Sequence, residues 1–104
     1  MLSIDDIRAL CHDETIRMTD HAINRCRERS IKYDEITAAI LSGEIIEQYP
    51  EDFPYPSCLI LGTVASGPLH VVAGVGGGAL WIISAYRPAL DKWEPDFKTR
   101  KAGQ

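Results

Sequence analysis

Long apolar runs are missing from this sequence of 104 residues. Its longest nearly apolar stretch, residues 58–86, is interrupted by glycines and a proline, so it never supplies the ~20 unbroken apolar residues that a membrane-spanning helix needs. The first residues also lack the basic and then apolar segments of a secretory signal peptide. We therefore expect a single domain over residues 1–104 that is located in the cytoplasm.

Cysteines and paired metal ligands are also few. Cys11, Cys26 and Cys58 are odd in number and lie in apolar or helical contexts, which indicates reduced thiols. No Cys-x-x-Cys or His-x-x-x-His pair is present to hold two ligands on one element, so a metal site built from Cys11, His12, His21 and Cys26 is disfavoured. The sequence predicts neither a metal nor a cofactor.

Basic residues are outnumbered, with 11 Lys and Arg against 15 Asp and Glu and a net charge of −4. This balance argues against the long-range attraction to phosphate that most nucleic-acid-binding proteins use. Any basic patch must therefore be local. The charges are also unevenly placed, because residues 53–86 contain no Asp, Glu, Lys or Arg.

The hydrophobic pattern changes from helical to alternating near residue 44. Helices are predicted over residues 4–12, 21–29 and 33–42, and strands over residues 44–49, 57–65, 69–75 and 80–86. The Gly76–Gly78 triplet predicts the turn of the last hairpin, and a short helix is expected near Asp96. This order predicts an α+β fold, with two to three N-terminal helices packed on one face of a four-stranded antiparallel sheet and His70 beside the helix layer.

One stripe of the second predicted helix carries His21, Arg25 and Arg29 at spacings of four residues. An imidazole can transfer protons near neutral pH, and guanidinium groups bind phosphate oxygens in a two-pronged geometry. The stripe therefore has the residue types of a phosphodiester site. The alternative is a solvated helix face whose arginines are neutralised by Asp20 and Glu28.

His70 is the single titratable base within the uncharged strand region. It either has a functional role or is a buried histidine that bonds a backbone carbonyl or Tyr86, because a polar group inside a sheet needs a partner. The glycine run before the last strand is expected to be a hairpin turn and not a phosphate loop, since a strand and not a helix follows it.

Aromatic and basic residues occur together at the end of the chain: Tyr86, Arg87, Trp93, Phe97 and Arg100. Such a group suits a surface that stacks a base and holds its phosphate, so Arg87, Trp93 and Arg100 are candidate RNA-binding residues. Trp93 and Phe97 also have the spacing of apolar residues that pack the tail onto the sheet.

These motifs together resemble the DUF4258 family. The resemblance covers about residues 18–100 and rests on a series of motifs in the family's order: Thr19-x-His21-Ala22-x-x-Arg25-x-x-x-Arg29-x-Ile31, Gly43-Glu44-Ile45-Ile46, Tyr55-Pro56-Ser57-x-Leu59, Leu69-His70-Val71-Val72 and Ala85-Tyr86-x-Pro88. The family is similar to the RelE/ParE-like toxins. That similarity implies a RelE-like fold, RNA cleavage without a metal and a small antitoxin-like partner protein.

The resemblance implies that His21, Arg25, Arg29, His70 and Tyr86 form the catalytic site. His70 or His21 would supply the base and the acid, and Arg25 and Arg29 would clamp the phosphate. The acidic net charge departs from the basic character of RNA-cleaving toxins.

A non-catalytic interaction module is the competing hypothesis. In that case the uncharged sheet would pair through its edge with a partner protein or with a second copy of the chain, as a homodimer. A charge-free edge strand would favour this hypothesis. Convergence of His21, Arg29 and His70 in one open cleft would favour the enzyme.

Overall fold

Three helices lie within the first 42 residues of the computed structural model, which describes residues 1–102: α1 (Ile4–Ala9), α2 (Asp20–Glu28) and α3 (Tyr33–Ser42). The side chains of Ser3 and Thr19 cap α1 and α2 by accepting backbone N–H bonds, each of 3.1 Å. Helix α1 ends before the predicted residue 12 because Leu10 leaves the helical conformation. Within residues 1–102, no helix has the length and apolar character needed to cross a membrane.

Five strands form one mixed sheet: β1 (Ile16–Met18), β2 (Glu44–Tyr49), β3 (Ser57–Val64), β4 (Gly67–Gly76) and β5 (Ala79–Tyr86). Their order across the sheet is β1-β5-β4-β3-β2. Strands β2 to β5 form an antiparallel meander whose bounds lie within two residues of those predicted. The α+β class is therefore confirmed.

The prediction of four antiparallel strands is wrong, because β1 adds a fifth strand that runs parallel to β5. It pairs Ile16 with Leu80 and Met18 with Ile82. Three residues are too few for a strand pattern, and the partner strand lies about sixty residues further along the chain. This strand therefore depends on tertiary pairing.

The hairpin between β4 and β5 turns at Gly77 and Gly78, as the glycine triplet predicts. Both residues have positive φ, 61° and 75°, and they connect the paired residues Gly76 and Ala79. A two-residue turn with two positive φ angles matches the right-handed twist of the strands, and glycine adopts it without steric cost.

The helices cover one face of the sheet. Core residues of β3 and β4, including Ile60, Leu69 and Val71, face Ile36 and Ile40 of α3. Helix α3 approaches β3 so closely that a Cβ at Gly62 would lie 2.4 Å from the Ala39 Cα. Any larger residue at position 62 would therefore push the helix off the sheet.

The C-terminal tail, residues 87–102, packs against the other face. Because side chains alternate along a strand, His70 points away from the helices that Leu69 and Val71 contact. The tail folds back on itself through a bridge between Trp93 and Arg100. The helix expected near Asp96 is absent from this segment, where the Asp96 carboxylate instead accepts two backbone N–H bonds that form a turn.

The edge strands are β1 and β2, and both carry charge: Arg17 on β1, and Glu44 and Glu47 on β2. The charge-free strands β3 and β4 are internal. Strand β5 is paired with β1 only over Leu80–Ile82, and beyond that α2 lies beside it. The charge-free edge strand that would favour the interaction hypothesis is therefore not found in the described part of the chain.

Glu35 links three separate segments of the fold. Its carboxylate accepts hydrogen bonds from the backbone N–H of Lys32, from the hydroxyl of Ser66 in the β3–β4 turn, and from the guanidinium of Arg87 at 2.9 Å. Together these bonds lower the pKa of Glu35 to about 2, with the Ser66 bond as the largest cause. The carboxylate therefore stabilises the folded state in its ionised form.

The stability of the protein should depend on Glu35 in a pH-dependent way. Its contribution is present above its ordinary pKa of 4.5 and is lost as the pH falls toward about 2. We expect Glu35→Gln to lower the melting temperature by about 5 °C at pH 7. We also expect a shallower fall of that temperature between pH 5 and pH 2, measured by circular dichroism.

Glu51→Gln is the matched control, because Glu51 is exposed in the β2–β3 loop and its side chain makes no hydrogen bond or ion pair with the residues that the structure describes. Equal melting curves for Glu35→Gln and Glu51→Gln at every pH would show that the hydrogen bonds of the Glu35 carboxylate do not contribute to the stability of the protein.

Candidate functional site

His70 lies at the centre of the second face of the sheet and is fully buried. Its Nε2 is 2.8 Å from the carbonyl oxygen of Phe97 in the tail, and its Nδ1 is 3.3 Å from the hydroxyl of Tyr86 on the paired strand. Trp93 meets the imidazole ring edge-on, with 4.5 Å between ring centroids. The buried-histidine alternative therefore describes its bonding correctly.

These bonds determine which nitrogen of His70 carries the proton. A carbonyl oxygen only accepts, so Nε2 donates to Phe97. In the neutral ring Nδ1 is then an acceptor, and the Tyr86 hydroxyl donates to it. Burial lowers the pKa of His70, so the neutral form is favoured. The result is a relay from Tyr86 to a base that is buried and oriented by the tail.

A cleft of about 440 Å³ opens beside Tyr86 and His70, and we call it the tail cleft because residues of the C-terminal tail form most of its wall. Tyr86 lines it together with four side chains that carry a positive charge or an aromatic ring: Arg87, Lys92, Trp93 and Arg100. Three of the candidate residues after Tyr86 are thus brought together at one site, because the tail turns back over the end of β5. Asp91 also contributes to the wall.

Two of the three cations in this cleft already have carboxylate partners. Arg100 donates to Glu47 on β2 with bonds of 2.8 and 3.0 Å, and Arg87 donates to Glu35. The other terminal nitrogen of Arg87, Nη1, has no partner among the described residues, but it is buried and so is closed to an anion in the cleft. The side chain of Lys92 makes no ion pair within residues 1–102. Within the described chain, the cleft therefore retains one cation, Lys92, that an anion can engage without displacing a carboxylate.

Trp93 is not free to stack a base in this conformation. It is 3% exposed, and the Arg100 guanidinium lies over its ring at 4.6 Å from the centroid. Its geometry fits the packing alternative, in which it fixes the tail to His70. A base can reach the Trp93 ring only after Arg100 moves.

Of the α2 stripe, only Arg29 lies near this site: burial raises the pKa of Tyr86, and the charges of Arg100 and Arg29 oppose that rise. His21 and Arg25 are exposed, and their side chains form no hydrogen bond within residues 1–102. Arg29 donates to the carbonyl oxygen of Ala85 at 2.9 Å, beyond the point where β1 ceases to pair with β5. His21 lies two helical turns away, about 12 Å along the axis from Arg29. The open cleft shared by His21, Arg29 and His70 is therefore not formed.

Sequence reasoning missed three residues that shape the site: Glu35, Glu47 and Lys92. The two carboxylates position Arg87 and Arg100 from 52 and 53 residues away, so no local pattern indicates them. Lys92 precedes Trp93 directly, and the basic and aromatic grouping of the tail was a usable signal for it.

The cysteines Cys11, Cys26 and Cys58 are all unpaired. Burial raises the pKa of each thiol, that of Cys58 to about 11, so they are poorly suited to nucleophilic chemistry. Within residues 1–102, no group of three or more His, Cys, Asp and Glu side chains lies close enough to hold a metal ion.

Residues 18–87 match the model of a family described as a domain of unknown function (DUF4258). No curated protein and no solved structure matches the chain. The family match includes His70 and Tyr86 and ends at Arg87, so it leaves out the part of the tail that supplies Trp93 and the Phe97 carbonyl to the same site.

The tautomer of His70 is directly measurable. We expect ¹⁵N NMR of the imidazole at pH 7 to show a neutral ring protonated at Nε2, and its protonation midpoint to lie below the ordinary value of 6.5. Because protonation is disfavoured only in the folded state, stability should fall as the pH drops below about 6.5. The imidazole resonances of His70 are assigned as those that disappear from the spectrum of the His70→Gln variant. An imidazolium at pH 7 would contradict the bonding described above.

Proposed function

The chain belongs to the DUF4258 family, and we propose that it is a toxin-like endoribonuclease that needs no metal. Its proton-transfer pair would be Tyr86 and His70, and its phosphate-binding groups the cations of the tail cleft. The single observation that carries this proposal is the hydrogen-bond relay from Phe97 through His70 to Tyr86, ending on a phenol that lines a cationic cleft.

The relay suits removal of a proton from an RNA 2′-hydroxyl. Tyr86 would accept that proton while its own proton passes to Nδ1 of His70, which is already the acceptor of the phenol. Both ring nitrogens would then be N–H donors, with Phe97 and Tyr86 as their acceptors. The buried imidazolium would thus form with both of its protons hydrogen-bonded.

Bond making and breaking follow from that proton transfer. The 2′-oxygen attacks phosphorus, the bond from phosphorus to the 5′-oxygen breaks, and the leaving oxygen takes a proton from water at the cleft mouth. The products are a 2′,3′-cyclic phosphate and a free 5′-hydroxyl. His70 returns its proton to solvent through Tyr86, so the reaction consumes no net proton.

The tail cations would stabilise the negative charge that builds up on the phosphate. Lys92 is the cation without a carboxylate partner in the described chain, while Glu35 and Glu47 hold Arg87 and Arg100 in place. Donors that are positioned before the reaction stabilise a transition state without reorganisation. Local cations of this kind offset the net charge of −4 at the site itself.

Two further features belong to the same proposal. The similarity to RelE/ParE-like toxins would make the protein one half of a toxin–antitoxin-type pair, with an antitoxin-like partner that masks its activity. Its substrate would be cytoplasmic RNA.

Cleavage of a fluorogenic RNA oligonucleotide in EDTA tests the proposal. Tyr86→Phe removes one hydroxyl and should lower the rate about 100-fold or more, because the relay loses the atom that contacts the 2′-hydroxyl. Lys92→Gln should also slow cleavage. Identification of the 2′,3′-cyclic phosphate by mass spectrometry distinguishes this reaction from hydrolysis by other routes.

Tyr33→Phe is the matched control, since it removes a tyrosine hydroxyl whose bond to Asp13 lies outside the cleft. His21→Ala and Arg25→Ala should also cleave at the parental rate, because neither residue lines the cleft. Melting curves check that every variant folds. No cleavage by the parent, or full activity of Tyr86→Phe, would show that the protein is not this enzyme.

A further inference from the structure

A second concave surface lies on the helical side of the molecule, between α2, α3 and the end of β1. This helical groove has a volume of about 620 Å³. Its floor is apolar and includes Met18, Cys26, Ile31 and Ile36, of which the last three are buried in the core. The groove shares no lining residue with the tail cleft.

Two large apolar side chains of the helical groove remain exposed to solvent. Ile23 is 39% exposed and Tyr33 is 38% exposed. Ile23 is the only large apolar residue on the outer surface of α2, which is otherwise polar. Exposed apolar groups beside an apolar groove are typical of an interaction surface.

The rim of the helical groove is cationic. Arg27 and Lys32 line it, and no Asp or Glu does. Among the described residues, Arg27 bonds only Asn24, at 3.5 Å, and neither cation has a salt bridge. Arg27 and Lys32 thus place two positive charges beside an apolar surface.

We propose that the helical groove binds an acidic amphipathic helix of a partner protein, with apolar residues on the groove floor and Asp or Glu beside Arg27 and Lys32. Apolar anchors at helical spacing fit a groove of this kind, and charge complementarity selects an acidic partner. Binding of such a helix does not depend on the proposed RNA cleavage.

Other occupants fit the groove less well. A second copy seated symmetrically would bring Arg27 and Lys32 near the same cations of its partner, and like charges are unfavourable there. A flat membrane surface would not fill a concave groove. An acidic helix satisfies both the apolar floor and the cationic rim.

The test is a selection from a phage library of random 16-residue peptides on the full chain. Phage that bind the double variant Arg27→Glu/Lys32→Glu are removed first. We expect the enriched peptides to carry Asp or Glu together with Leu, Ile or Phe at spacings of three and four residues. A synthetic peptide of the enriched sequence should bind the parent, and bind Arg27→Glu/Lys32→Glu about tenfold or more weakly, by fluorescence anisotropy.

Arg25→Glu/Lys101→Glu is the matched control, because it makes the same change in net charge outside the groove and should bind the peptide like the parent. Arg27→Glu/Lys32→Glu should keep its parental rate of RNA cleavage, so the two functions can be separated. Four outcomes would overturn the proposal: no enriched peptide, enriched peptides without acidic residues, a dimer in sedimentation that Arg27→Glu/Lys32→Glu abolishes, or selective binding of the parent to anionic vesicles.

Discussion

The arrangement of the whole molecule depends on two central strands, β3 and β4, that carry no charged residue and are buried on both faces. Such strands must be covered on each side, because an exposed apolar sheet face is unfavourable in water. The helices cover one face, with Gly62 allowing α3 to approach closely. The other face is left to a tail of about fifteen residues, which is too short to form a second layer of helices. Specific bonds hold it instead: the Phe97 carbonyl on His70, and Arg100 and Lys98 on the two glutamates of β2.

This way of covering the second face also produces the candidate site. A tail that must satisfy a buried histidine brings its own aromatic and basic residues to the end of β5, where Tyr86 is already fixed by strand pairing. The acidic residues then have a positioning role: Glu35 and Glu47 hold two arginines at the cleft, and Lys92 is left without an ion pair in the described chain. Acidic side chains are thus used to orient basic ones.

Charge distribution gives the molecule two candidate binding surfaces. The tail cleft combines cations with the hydrogen-bonded Tyr86–His70 pair, and the helical groove combines cations with an apolar floor. Both occur in a chain whose net charge is −4, because the remaining acids lie mainly on α1, α3, β2 and the loops. Net charge is therefore a poor guide to what either surface binds. Arg29 lines neither surface, and its guanidinium completes the hydrogen bonding of the β5 edge where β1 has ended.

The sequence by itself determined the α+β class, the three helices, the four-strand meander and the glycine turn, because each of these follows from local periodicity and local turn chemistry. It also offered a backbone carbonyl or Tyr86 as the partner of a buried His70, and the structure has both. Only the tertiary structure decided that β1 joins the sheet, that His70 faces the tail and not the helices, and that His21 stays apart from it. These features depend on contacts between residues far apart in the chain, such as Arg100 with Glu47, and a one-residue change in strand register would reverse the face on which His70 lies.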